Sequence, residues 1–97
     1  MTYQITSENI KVSSSMKSLV SKKFEKVEKL LSGFGQNLGH ARFVLSKAPE
    51  DGKFKVKILI LANGKEYFTD EEEYGFEATL SKAVDEILQM LKKHNKN

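Results

Sequence analysis

A chain of 97 residues, 39% hydrophobic and 30% charged, is long enough for one folded domain with a single core layer and too apolar to stay disordered. The absence of cysteine excludes disulfides, thiolate metal sites and a thiol nucleophile. No apolar run reaches the length of a bilayer span, and the N-terminus shows no basic-then-apolar leader, so the expectation is one domain over residues 1–97, cytoplasmic and away from membranes.

The net charge of +3 conceals an asymmetry. Residues 1–65 hold twelve Lys and Arg against five acids, a balance of +7, whereas residues 66–97 hold four Lys against eight acids, a balance of −4. A basic body with one acidic corner fits a polyanionic partner met in a fixed orientation. It fits an ordinary solvated surface equally well, and charge alone does not choose.

In chain order, Thr2 to Thr6 reads as a short strand with Tyr3 and Ile5 on one face. Ser7-Glu8-Asn9 is a turn, and Ile10 and Val12 lead into a helix capped by Ser13, whose hydroxyl accepts from a first-turn amide. In that helix Met16, Leu19, Val20, Phe24, Val27, Leu30 and Leu31 recur at three- and four-residue spacings and form an apolar stripe. Lys22, Lys26 and Lys29 form a cationic row beside it, and Lys23 lies at the edge of the stripe, its stem along the core and its ammonium reaching out. Gly33 and Gly35 end the helix, with Phe34 folding back on the core.

His40 to Lys47 is the second strand, and Ala48 to Gly52 a turn. Lys53 to Ala62 is the third strand, and its alternation puts Lys53, Lys55 and Lys57 on an open face together with Leu59 and Leu61. Asn63-Gly64 is a hairpin turn, because both residues tolerate positive φ. Lys65 to Thr69 then reads as the fourth strand. Asp70 to Glu73 is expected to open a second helix, as acids favour the positive end of a helix dipole, with Thr69/Glu72 or Asp70/Glu73 as a capping box. Phe76, Leu80, Ala83, Val84, Ile87 and Leu91 make its apolar stripe, and Lys92, Lys93 and Lys96 sit at its cationic end. The order β-α-β-β-β-α predicts an α+β domain in which a four-stranded mixed sheet carries two helices on one face.

No catalytic centre assembles from these residues. His40 and His94 fall at a strand start and a helix end with no sequence reason to meet. The glycines at 33, 35 and 39 follow a helix, whereas a phosphate loop precedes one. Helix capping accounts for the acids at 70–73 more simply than a cation site does. The expectation is a non-enzyme without metal or cofactor. The remaining chemistry is the basic set, with Lys82 and Lys93 sharing a face of the second helix with Glu86 and Gln89. Periodicity alone favours a solvated face with local pairs such as Glu25–Lys29, and lysine contacts to RNA phosphates are the alternative.

The whole chain, from Gln4-Ile5-Thr6 to His94, resembles the short ribosome hibernation-promoting factors and ribosome-associated inhibitors of bacteria. The resemblance is carried by Ile5-Thr6, Asn9, Val12-Ser13, Lys23-Phe24, Lys26-Val27-Glu28, Asn63-Gly64, the spacing of Phe76, Leu80, Val84, Ile87 and Leu91, and the closing Leu91-Lys92-Lys93-His94. It implies a fold similar to double-stranded RNA-binding domains. It also implies binding to the small ribosomal subunit and its rRNA in the decoding channel, where the protein sterically excludes mRNA and tRNA and inhibits translation in stationary phase or stress. A ribosome-dimerising helper protein is an implied partner, and a monomer is expected off the ribosome. The rRNA-binding residues carried over are Lys23, Lys26 and Lys93, with Lys92 and Lys17 as companions. Lys22 and Lys29 join them from the cationic row, and Lys82 replaces part of a depleted second helix. The sequence departs from the family pattern at Gly75-Phe76, Ser81, Glu86 and Gln89, which thins the basic face of that helix. Two other readings stand beside this one: a general double-stranded RNA-binding module, and a protein–protein adaptor using Leu59, Leu61 and the open sheet face.

Overall fold

Period-two alternation and 3.6-residue stripes divide the chain into six elements in the computed structural model, which describes residues 3–36 and 38–95. They are β1 (Gln4–Glu8), α1 (Ser14–Gly33), β2 (Leu38–Lys47), β3 (Phe54–Ala62), β4 (Lys65–Glu73) and α2 (Phe76–Asn95). The four strands form one sheet in the order β1-β2-β3-β4, with β1 and β2 parallel and the other pairs antiparallel. The expected mixed sheet with two helices on one face is therefore the observed fold. Strands β1, β2 and β4 point the same way, and each helix follows β1 or β4, so α1 and α2 run in the same direction, side by side.

One face of the sheet is apolar because register aligns its alternating residues. Phe43 opposes Ile58, Ile58 opposes Thr69, Ala41 opposes Ile60, and Ile60 opposes Tyr67. The helices cover this row with Val20, Phe24, Val27 and Leu31 from α1 and Leu80, Val84, Ile87 and Leu91 from α2, all buried. Phe24 sits at the centre of a ring cluster, its centroid 4.6 Å from Tyr3 and 6.1 Å from Phe43, which fixes α1 over β1 and β2.

Helix α1 begins as expected, with the Ser13 hydroxyl accepting from the Met16 amide at 3.1 Å. At its end the Gln36 amide donates to Leu31 O (2.9 Å) and the Gly35 amide to Ser32 O (3.0 Å), with Gly35 at φ +70°. This pair of bonds is a Schellman ending, and the left-handed residue it needs is glycine. Phe34 is half-buried and stays outside the core cluster, contrary to expectation.

Several boundaries move, among them the start of β2, which is Leu38 where His40 was expected. The first strand runs Gln4–Glu8 where 2–6 was expected, and Thr2 lies outside the described residues, as does Lys96 at the other end. Lys53 precedes β3, where its amide donates to Asp51 in the turn at 3.0 Å. The largest correction concerns Asp70 to Glu73, which do not open α2 but extend β4 by four residues. The reason is register. Asn63 and Gly64 at φ 53° and 79° close a two-residue turn, so Ala62 pairs Lys65 and the nine residues of β3 draw nine residues into β4. On the open face this sets Asp70 against Lys57 and Glu72 against Lys55, opposite charges across the ladder. Neither proposed capping box forms, since Thr69 and Asp70 are strand residues. Helix α2 begins after Gly75, whose carbonyl accepts from the Thr79 amide (3.0 Å) and the Thr79 hydroxyl (2.6 Å).

Candidate nucleic-acid interface

The lysines of α1 are placed by the stripe that buries the helix. With Val20, Phe24, Val27 and Leu31 on the sheet, a rotation of about 100° per residue turns Lys22, Lys26 and Lys29 outward. All three are exposed, and Lys23 is half-buried on one flank, its stem against the apolar edge. Lys17 is exposed about 120° of helical rotation from Lys23, on the other flank.

Contacts of α2 identify the flanks. The Thr69 hydroxyl donates to Glu86, and Lys82 Nζ lies 3.0 Å from Glu73 and 3.4 Å from Glu71, so this side of α2 faces β4. The opposite side, with Ser81 and Leu88, therefore turns toward α1. Because the helices run in the same direction, the α1 flank turned toward α2 is the one carrying Leu19, Lys23 and Leu30. Lys23 thus lines the seam between the helices, and Lys26 stands on its rim.

Of the eight predicted RNA-contacting lysines, the fold gathers Lys22, Lys23, Lys26 and Lys29 on α1. It separates the other four, and Lys92 borders a depression on α2 with Glu86, Gln89, Met90 and Lys93. Lys17 is on the far flank of α1, Lys93 borders a groove with Glu66, Tyr67, Phe68 and Met90 beside β4, and Lys82 is held by two carboxylates. Among the described residues the only ion pairs are those of Lys82, so the Glu25–Lys29 pair does not form and the α1 lysines have no carboxylate partner. Uncommitted ammonium groups on a rigid helix suit phosphates, since binding costs no broken ion pair.

The cluster around Lys82 was not foreseen. Glu71 lies above its ordinary value of 4.5, chiefly because it hydrogen-bonds Glu86, and also because burial and the Glu86 charge disfavour its ionised form. Glu86 lies below 4.5, first through the Thr69 hydroxyl and then through Glu71. Lys82 is raised, first by its hydrogen bond to Glu73 and then by the Glu71 charge. The signal for this cluster was present in the alternation Tyr67, Thr69, Glu71, Glu73, obscured by reading the acids as a helix start.

Neither histidine belongs to a catalytic arrangement. His40 opposes Leu61 in the sheet, while the His94 ring packs on Tyr67 at 5.2 Å and its Nδ1 lies 3.3 Å from Lys65 Nζ. No helix among the described residues is long and apolar enough to cross a membrane.

A family model described as sigma 54 modulation protein / S30EA ribosomal protein matches residues 3–97. The chain belongs to that family. Membership in the S30EA family makes it a ribosome-associated protein. The fold agrees with two solved structures of similar proteins. The N-terminal domain of Thermus thermophilus Protein Y superposes with a TM-score of 0.80 at 24% identity, covering 95% of this chain and 96% of that one. A ribosomal subunit interface protein from Coxiella burnetii superposes with a TM-score of 0.83 at 14% identity, covering 100% of both chains. No curated protein sequence matches.

Proposed function

We propose that this S30EA-family protein is a ribosome hibernation factor, a non-enzymatic cytoplasmic inhibitor of translation. It seats its helical layer on small-subunit rRNA in the decoding channel and excludes mRNA and tRNA by occupying their space, under stationary-phase or stress conditions. The observation that carries the proposal is the unpaired lysine face of α1, in a chain whose family is ribosome-associated. Lys22, Lys23, Lys26 and Lys29 contact phosphates. Lys17, Lys82, Lys92 and Lys93 stand apart from that face and contribute less. Helix α1 carries more of the binding here than α2, whose centre presents Glu86 and Gln89. The protein acts as a monomer, and ribosome pairing, where it occurs, comes from a helper protein.

Co-sedimentation with purified small subunits tests the proposal. The protein is expected to pellet with them at low salt, to be released steeply as salt rises, and to compete with mRNA and tRNA. Failure to pellet at low salt overturns it. Binding to any RNA duplex with equal affinity supports a general double-stranded RNA-binding module instead.

A further inference from the structure

Strand β4 ends the sheet, and its outer edge pairs with no strand among the described residues. It is nine residues long, and such an edge presents a row of unpaired backbone donors and acceptors. Both sides of this edge offer apolar surface. On the open face Phe68 is 53% exposed beside its cross-strand partner Leu59, with Leu61 next in line. On the helical side a groove of about 410 Å3 runs between Tyr67 of β4 and Met90, Lys93 and His94 of α2, with Glu66 and Phe68 at its outer lip.

The charge of the strand selects what lies there. Lys82 takes up Glu71 and Glu73, and Lys93 borders the groove. Glu66, Asp70 and Glu72 remain on the open face with no ion pair among the described residues, three acids beside Lys55 and Lys57 of β3. A second copy pairing antiparallel about Thr69 would set Glu66 against Glu72 and align two acidic strands, so self-pairing is disfavoured. Nucleic acid is repelled for the same reason, because Glu66 and Asp70 flank Phe68 on its own face.

We propose that the β4 edge is a second binding site, for an extended basic segment of a partner protein that adds to the sheet as a fifth strand. Main-chain bonds to β4 supply affinity, and side chains of the added strand alternate between the two faces. One set enters the groove over Met90, and the next lies on Phe68 and Leu59. Lysines or arginines of the segment meet Glu66, Asp70 and Glu72. This surface lies on the far side of α2 from the lysines of α1, so both sites operate in one molecule, and the inference stands without the ribosome reading.

The test is a two-dimensional NMR titration of the free protein with an alternating lysine–valine decapeptide. A glutamate–valine decapeptide, the lysine–valine peptide with a central proline, and oligouridylate serve as comparisons. The lysine–valine peptide is expected to shift the amides of Glu66 to Asp70 and of Met90, and the proline version to bind at least tenfold more weakly. Phe68→Arg, at an exposed position, is expected to weaken binding about tenfold without altering the fold. Shifts confined to α1, equal binding of the proline version, or oligouridylate shifting Phe68 overturn the proposal. A dimer in sedimentation equilibrium that dissociates in Phe68→Arg overturns it in favour of self-pairing.

Discussion

Replacing Lys23 and Lys26 together by glutamine removes two cations that flank the seam between the helices while leaving every described ion pair intact. Each phosphate contact contributes about 0.9 to the slope of log affinity against log salt on duplex nucleic acid and about 0.7 on single strands. Two contacts in 0.1 M salt therefore amount to about 25- to 60-fold in affinity. The double variant should bind small subunits that much more weakly, with a slope shallower by about 1.4 to 1.8. Lys17→Gln removes the same charge from the far flank of α1, and its slope should change little. Stability should hold within about 0.5 kcal/mol, as Lys26 is exposed and the Lys23 stem is largely preserved by glutamine. Sedimentation across a salt series, with thermal melts in parallel, reads both quantities. If Lys17→Gln and the double variant lose the same slope per charge, the protein senses RNA only through net charge. If the melting temperature collapses, the two lysines are structural. Either result refutes the assignment of a defined α1 face.

Two further outcomes follow from the Glu71–Glu86 contact and the aromatic core. The raised Glu71 favours the folded state below the unfolded value near 4.5, and that contribution is lost as pH rises through its native pKa, whereas the lowered Glu86 contributes above 4.5 and loses its contribution as pH falls through its native pKa. Glu71→Gln keeps a donor toward Glu86 and cannot ionise, so its stability relative to the parent should rise as pH increases above about 4.5 through the native pKa of Glu71, and a pH-independent difference in melts would show that the fold does not raise Glu71. Phe24→Ala empties the site between Tyr3 and Phe43 and should cost about 3–5 kcal/mol, a fall in Tm of at least about 12 °C. A fall below about 4 °C would mean that β1 and Tyr3 refill the space.

Most of the fold was legible because its signals are local. Ser13 before the apolar stripe, Gly35 after it and Asn63-Gly64 between two alternating runs each act within a few residues. The acids at 70–73 were misread because their local preference and their pairing disagree. Taken alone they resemble a helix start, yet a two-residue turn after a nine-residue strand demands a partner of equal length. Lys55 and Lys57 stood in the sequence as the counter-charges of that partner, and strand matching from Asn63 would have found Asp70 and Glu72. The lysine row was legible as a face. Its relation to α2 was not, because it depends on which flank of α2 meets β4.

That same contact explains why α2 carries an acid at position 86. A lysine or arginine at position 86 would lose the bond from the buried Thr69 and remove the carboxyl to which Glu71 is hydrogen-bonded. Lys82, the cation nearest in sequence, is then needed by Glu71 and Glu73 to fasten the β4 extension to α2, and releasing it to a phosphate would expose two carboxylates beside that phosphate. In the proposed binding mode, the extended β4 thus sets the direction from which RNA would approach. It draws the charge of α2 onto the sheet side and leaves α1, with no such strand beside its lysines, as the surface open to a polyanion.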